Sequence, residues 1–183
     1  VSRLHADAER VLGGWTAPDD HQERHRRRFL HHLAQHPDGM ARECFPDHLT
    51  AGALVLSADG TEVLLNLHGK AKRWFAFGGH CEAIDQTLAG VAHREALEES
   101  GLPRLDFDPV PVMLDEHAVP FCDPRGTVAH LDVRYVAVAP AGVGHAASEE
   151  SLDVRWWPVD ALPDGLEDDM HRLVALARAR VLG

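Results

Sequence analysis

At 183 residues and 45% apolar composition, the chain has the size of one domain with an appendage, and enough apolar matter to bury a sizeable core. A formal charge of -11 excludes a general binder of polymeric nucleic acid, which relies on an excess of Lys and Arg, but it admits a small anionic ligand bridged to acids by metal ions. No apolar run approaches the length of a membrane span, and Val1 to Gly14 lacks the charged start and continuous apolar centre of a secretory signal, so a soluble cytoplasmic protein without membrane partners is expected.

Residues 1–46 read as a helical extension. Leu4, Ala8, Val11 and Leu12 recur at helical spacing before Gly13-Gly14, and Pro18-Asp19-Asp20 opens a second helix running to about His36. Its basic stretch from Glu23 to Arg28 is expected to be a solvated face, with Phe29, Leu30 and Leu33 on the docking side. These apolar residues suit either a homodimer interface or a lid. Pro37-Asp38-Gly39 stops the helix, and Pro46 marks the boundary with a main domain spanning 47–183.

From Leu49 the pattern becomes that of strands. Leu49–Ser57 and Thr61–Leu67 flank the hairpin signal Ala58-Asp59-Gly60, and a short strand over Trp74–Phe77 leads into a Gly78-Gly79 loop. Further strands are expected over Val110–His117, Leu131–Ala139 and Asp153–Val159, with long polar loops over Ala118–Thr127 and Pro140–Leu152. A helix from about Leu166 to Leu182, apolar at Met170, Leu173, Val174, Ala177 and Val181, closes the chain. Strands interleaved with a central and a terminal helix indicate a mixed sheet covered on both faces. Cys44, Cys81 and Cys122 are odd in number, far apart and without a C-x-x-C pair, so neither a disulfide framework nor a thiolate zinc site is expected. Most of the fourteen histidines are expected on solvated surface.

The chemistry concentrates in the central helix. At roughly 100° per residue, Leu88, Val91, Ala92, Glu95, Glu98, Glu99 and Leu102 share one stripe, which begins apolar and turns acidic. Three carboxylates on a half-buried face repel one another and lose hydration, and a divalent metal is the simplest compensation. Arg94, four residues before Glu98, is placed to pin one acid, and Gly101 suits the left-handed position that ends helices.

The segment from Gly79 to Leu102 resembles the Nudix box, a glycine, five residues, an acid, seven residues, then R-E-U-x-E-E-x-G-U with U apolar. Arg94, Glu95, Ala96, Glu98, Glu99, Gly101 and Leu102 fit its second half. In the first half, counting forward from Gly79 puts Asp85 at the acid with eight residues before Arg94, whereas counting back puts Gln86 at the acid and His80 at the glycine. One residue inserted between Asp85 and Thr87 reconciles the two, with Asp85 the better candidate.

The resemblance implies a Nudix-like α/β/α sandwich that hydrolyses a diphosphate linkage in a nucleoside diphosphate derivative or a nucleoside triphosphate, using Mg2+ or Mn2+. It assigns Glu95, Glu98, Glu99 and the Gly79 carbonyl to the metal, and Arg94, Glu95 and Glu98 to catalysis, with Arg94 orienting a glutamate. Glu98, or Glu149 or Glu150 in the second long loop, is the candidate base. Gly78, His80, Trp74, Asp85 and Glu150 are candidates for touching substrate, Trp74 by stacking on a base beside Phe75 and Phe77. His117, His130 and Asp132 are further candidates for the pocket wall. The alternative readings are a Nudix-fold nucleotide sensor that has lost hydrolysis, suggested by the altered first half, and an isoprenoid diphosphate isomerase, for which no cysteine is clearly matched.

Overall fold

A computed structural model describes residues 2–147 and 151–183. Helices α1 (Arg3–Gly14) and α2 (Asp20–Gln35) precede strands β1 (Asp47–Leu56), β2 (Glu62–His68), β3 (Trp74–Phe75) and β4 (Phe77–His80). Helix α3 (Leu88–Ser100), strands β5 (Asp106–Asp123), β6 (Gly126–Val138) and β7 (Ser151–Pro158), and helix α4 (Asp168–Leu182) follow. The sheet runs β3-β2-β1-β6-β5, with β4 also paired to β1 and β7 to β2. It is mixed: β1 and β6 are parallel from Asp47↔Ala129 to Leu56↔Val138, and the other pairs are antiparallel.

Strand alternation divides the core. Leu49, Ala51, Ala53 and Val55 of β1 and Leu131, Val133, Tyr135 and Ala137 of β6 pack in one cluster with Leu88, Val91, Ala92 and Ala96 of α3. Leu54, Leu56 and Val136 point the other way, into a second cluster with Met170, Leu173, Val174 and Ala177 of α4. Each of the larger side chains stabilises the stack by about 1.5–3 kcal/mol. This is the expected sandwich, with helices on both faces.

The N-terminal helices are part of that structure. Leu4, Ala8, Leu12, Trp15, Phe29 and Leu33 belong to the same cluster as α3 and β1, so the apolar residues that suited a dimer interface or a lid are already covered within the chain. Trp15 Nε1 donates to the Pro111 carbonyl (2.7 Å). Gln22 receives the Leu114 N–H at 2.6 Å and donates to the Leu114 carbonyl at 2.9 Å, which satisfies backbone on edge strand β5. The basic stretch is tied down locally: Arg26 and Arg27 pair with Glu23, and Arg28 pairs with Asp47.

Two expectations are corrected. Gly78-Gly79 is not a loop after a strand but lies inside β4, where Gly52↔Gly78 and Ala51↔Gly79 pair. The reason for glycine is close backbone approach, since a β-carbon on Gly78 would come within 2.6 Å of the Gly52 Cα. The expected loop over Ala118–Thr127 is instead most of a long hairpin, pairing Ala118↔Ala129 and Val119↔Val128 and turning only between Asp123 and Gly126. No helix among the described residues is long and apolar enough to cross a membrane.

Candidate active site

Helix α3 is fixed at both ends. Thr87 Oγ1 accepts the Gly90 N–H (3.0 Å), and Asp7, reaching over from α1, accepts the Leu88 N–H at 2.9 Å. At the other end Gly101 takes the left-handed conformation (φ 64°), and its N–H bonds the Leu97 carbonyl. The apolar half of the stripe is buried against the sheet, while the acidic half emerges beside β4: the Glu95 side chain is 15% exposed and that of Glu98 60%.

Arg94 organises these acids. Its guanidinium donates through Nε and Nη2 to the two Asp85 oxygens (3.2 and 2.9 Å), through Nη1 to Glu95 (2.9 Å) and Glu98 (3.1 Å), and through Nη2 to the His80 carbonyl (3.1 Å). Asp85 also accepts the Glu82 N–H at 2.8 Å, closing the turn ahead of the helix. The acid that Arg94 grips is therefore Asp85, while Gln86 beside it is exposed. Burial works against the Asp85 charge, but Arg94 and the Glu82 N–H outweigh it and lower its pKa. Glu95 moves the other way, because burial raises its pKa more than Arg94 lowers it. Glu99 accepts the Gly78 N–H at 3.0 Å. The Glu95 carboxyl lies directly over Gly79, where a β-carbon would meet it at 2.8 Å.

The acids open on a cleft of about 1510 Å³, roomier than the roughly 300–1,000 Å³ usual for a small-molecule site. Its floor is the outer continuation of the sheet face that α4 covers. Where that face leaves the helix its residues become polar: Thr50, Asp115, Asp132 and Arg134, while Asn66, on the opposite face of β2 from Val63 and Leu65, also lines the cleft. Arg134 Nε lies 2.7 Å from Asp132, and Nη2 donates to Asp115 at 3.5 Å. Among the described residues Thr50 Oγ1, Asn66 Oδ1 and Asp132 Oδ1 are buried with no hydrogen-bond partner, so the cleft has polar capacity to spare. His117, also on the cleft wall, donates from Nδ1 to Asp115 (2.8 Å); burial opposes its charge, but this carboxylate leaves its pKa above the ordinary value. Arg42 and Lys70, both exposed, stand at the rim.

Gly78, Gly79, His80, Asp85, Arg94, Glu95, Glu98 and Glu99 all line this cleft. Trp74 is not among its lining residues, and its ring meets Trp157 edge-on at 5.4 Å; Phe75 is the aromatic at the cleft. Glu149 and Glu150 lie outside the described residues. Asp115, Arg134, Thr50 and Asn66 were missed from the sequence. The signal was present, since Asp115 with His117, and Asp132 with Arg134, are polar residues two apart in otherwise apolar strands.

The histidine expectation also fails at this end of the sheet. The His80 carbonyl serves Arg94, but its ring turns toward His48, His130 and Cys122. Burial first, and the crowding of the neighbouring histidines with Arg42 next, push His80 down to about 4 and His130 to about 2, so both rings are neutral. Burial pushes the Cys81 thiol up to about 12, which denies the isomerase reading a ready thiolate.

A sequence profile of the NUDIX domain matches residues 46–177. The chain belongs to the Nudix family. No curated protein matches it by sequence. Among solved structures, a Nudix-family hydrolase from Clostridium perfringens is 20% identical, with 73% of this chain and 95% of that chain covered at a TM-score of 0.56. The Ap4A hydrolase of C. elegans, solved as a binary complex, is 17% identical over 74% and 98% at 0.58. The NUDIX domain of Shewanella oneidensis NrtR, solved with ADP ribose, is 21% identical over 82% and 97% at 0.54. These likenesses establish the fold.

Proposed function

We propose that the protein is a metal-dependent diphosphohydrolase that cleaves the diphosphate linkage of a nucleoside diphosphate derivative or a nucleoside triphosphate. The observation that carries this reading is the Arg94 hub, in which one guanidinium holds Asp85, Glu95 and Glu98 while Glu99 is tied to the Gly78 N–H. The donor set is all oxygen and suits a hard cation, and the half-buried Glu95, its pKa raised by burial, lacks a full counter-charge. Glu95, Glu98, Glu99 and the Gly79 carbonyl would hold Mg2+ or Mn2+. Such an ion offsets charge on the bridging oxygens and lowers the pKa of attacking water. The chain supplies the remainder: Arg94 fixes the glutamates before substrate arrives, Arg42 and Lys70 draw phosphate to the rim, and the unpartnered atoms of Thr50 and Asn66 offer bonds to the rest of the ligand. Glu98, the most exposed of the acids that Arg94 holds in the helix, is the base we assign.

The sensor reading rested on the altered first half of the box. The Asp85–Arg94 bonds count against it, since the shorter acid still reaches the arginine. The deciding experiment incubates the protein with Mg2+ and a panel of nucleoside diphosphate derivatives and triphosphates, ADP ribose and Ap4A included, and identifies products by mass spectrometry. Cleavage at the anhydride is expected, and Glu99→Gln should lose it by orders of magnitude while remaining folded. Binding without cleavage would favour the sensor, and unchanged turnover in Glu99→Gln at saturating Mg2+ would refute the assignment.

A further inference from the structure

Four side chains from four separate segments converge at one end of the cleft, whose lining includes His80, Cys122 and His130. His48 lies near the start of β1 and His130 directly opposite it on β6; His80 ends β4, and Cys122 comes from the far part of β5. The three imidazoles form a nearly equilateral triangle, with centroids 5.1, 5.0 and 4.9 Å apart. Cys122 Sγ stands 3.4 Å from Nε2 of His80, 3.4 Å from Nε2 of His130 and 3.9 Å from Nε2 of His48. One donor atom from each of the four lies within 4.8 Å of every other.

Bonds of about 2.0–2.1 Å to nitrogen and about 2.3 Å to sulfur in a tetrahedron require donors roughly 3.3–3.8 Å apart. The observed spacings reach that range after a small contraction. The protons also fit. His48 Nδ1 faces the Cys44 carbonyl at 3.1 Å, and because a carbonyl only accepts, Nδ1 carries the proton and the neutral ring presents a bare Nε2 lone pair to the cluster. The single thiol proton can serve only one ring nitrogen at a time, whereas a cation engages all four donors together. Among the described residues no carboxylate is part of the group, and three imidazoles with a thiolate favour a borderline ion such as zinc over the hard ions that suit the glutamates.

We propose that His48, His80, Cys122 and His130 form a zinc site separate from the carboxylate centre. Four protein donors close the coordination shell, which is the pattern of a structural site. Binding displaces the Cys122 thiol proton to solvent and ties the β5–β6 hairpin to β1 and β4. Through β4 it holds the His80 carbonyl against Arg94, one step from the acids.

The test uses the 183-residue chain stripped by a chelator and titrated with Co2+. One equivalent should give a thiolate-to-cobalt charge-transfer band in the near ultraviolet with the visible bands of a tetrahedral ion, and Zn2+ should abolish both. The spectrum should persist in Glu95→Gln/Glu98→Gln and vanish in Cys122→Ser. In the latter, zinc affinity should fall by more than the roughly 10–100-fold that loss of a supporting hydrogen bond costs. Absence of the band, or its survival in Cys122→Ser, overturns the proposal. Should Cys122→Ser fail to fold, X-ray absorption at the zinc edge of the unsubstituted protein carrying one equivalent decides instead. A shell of one sulfur and three nitrogens supports the site, and an all-oxygen shell overturns it.

Discussion

Replacing Asp85 with Asn leaves the shape of the turn and removes the charge that Arg94 grips in two places. Both side chains are largely buried, at 6% and 14% exposed, so water cannot simply take the place of the lost carboxylate. Hydrogen bonds to charged groups are worth about 1.5–3 kcal/mol each, and stripping one partner from a fully buried pair costs about 3–5 kcal/mol. Here the loss is smaller, because Glu95 and Glu98 remain within 2.9 and 3.1 Å of the same guanidinium and the amide keeps one acceptor. About 1–2 kcal/mol is expected, a fall of roughly 2–8 °C in Tm for a chain of this size. Turnover should drop further, by about 100-fold, because Arg94 then leans on the glutamates proposed to hold the metal. Thermal unfolding and initial-rate kinetics across a Mg2+ series, run beside Gln86→Ala, check this. An Asp85→Asn protein of unchanged Tm and turnover, with the loss appearing in Gln86→Ala, would refute the assignment of Asp85 as the acid of the box.

Gly79→Ala should fold, yet its methyl group would displace the Glu95 carboxyl 2.8 Å away, and a turnover lower by about 100-fold with a raised Mg2+ requirement is expected from steady-state kinetics. Deleting residues 1–46 should abolish cooperative unfolding, seen by calorimetry, because it strips Phe29 and Leu12 from the core and Gln22 from the β5 edge; a truncated chain that still melts sharply would show that α1 and α2 are dispensable. Stability should also fall with acid. Burial, with His36 and Arg28 nearby, pushes His32 from 6.5 down to about 4, so the unfolded chain takes up the proton first. The contribution is therefore intact above pH 6.5, is lost as pH falls, and stops growing near pH 4, amounting to about 2 kcal/mol at pH 5. Urea melts of His32→Gln should show a shallower pH dependence over that window.

The carboxylate centre was legible because its chemistry is local. Arg94, Glu95, Glu98 and Glu99 share one helix, and helical spacing alone brings them to one side. What sequence spacing could not convey is pairing across the sheet. Gly78-Gly79 reads as a turn in isolation, and only the neighbouring Gly52 turns it into a place where two backbones nearly touch. The Asp7 carboxylate at the start of α3 comes from 81 residues away, and Cys122 meets His48 across 74, separations over which a chain carries no periodic trace. The histidines and cysteines carry no metal-ligand spacing along the chain, because the four side chains meet only through strand register.

That register has a consequence for how the protein can change. On a single flank of β6, Val136 seals the hydrophobic interior under α4, Arg134 and Asp132 floor the cavity, and His130 faces His48, all fixed by one uninterrupted ladder of pairs with β1. Adding or deleting one residue within β6 would turn the groups on one side of the change to the opposite face, driving charges beneath α3 or pulling the imidazoles apart. Length variation is thereby confined to the turns, and diversification along these two strands has to proceed by substitution.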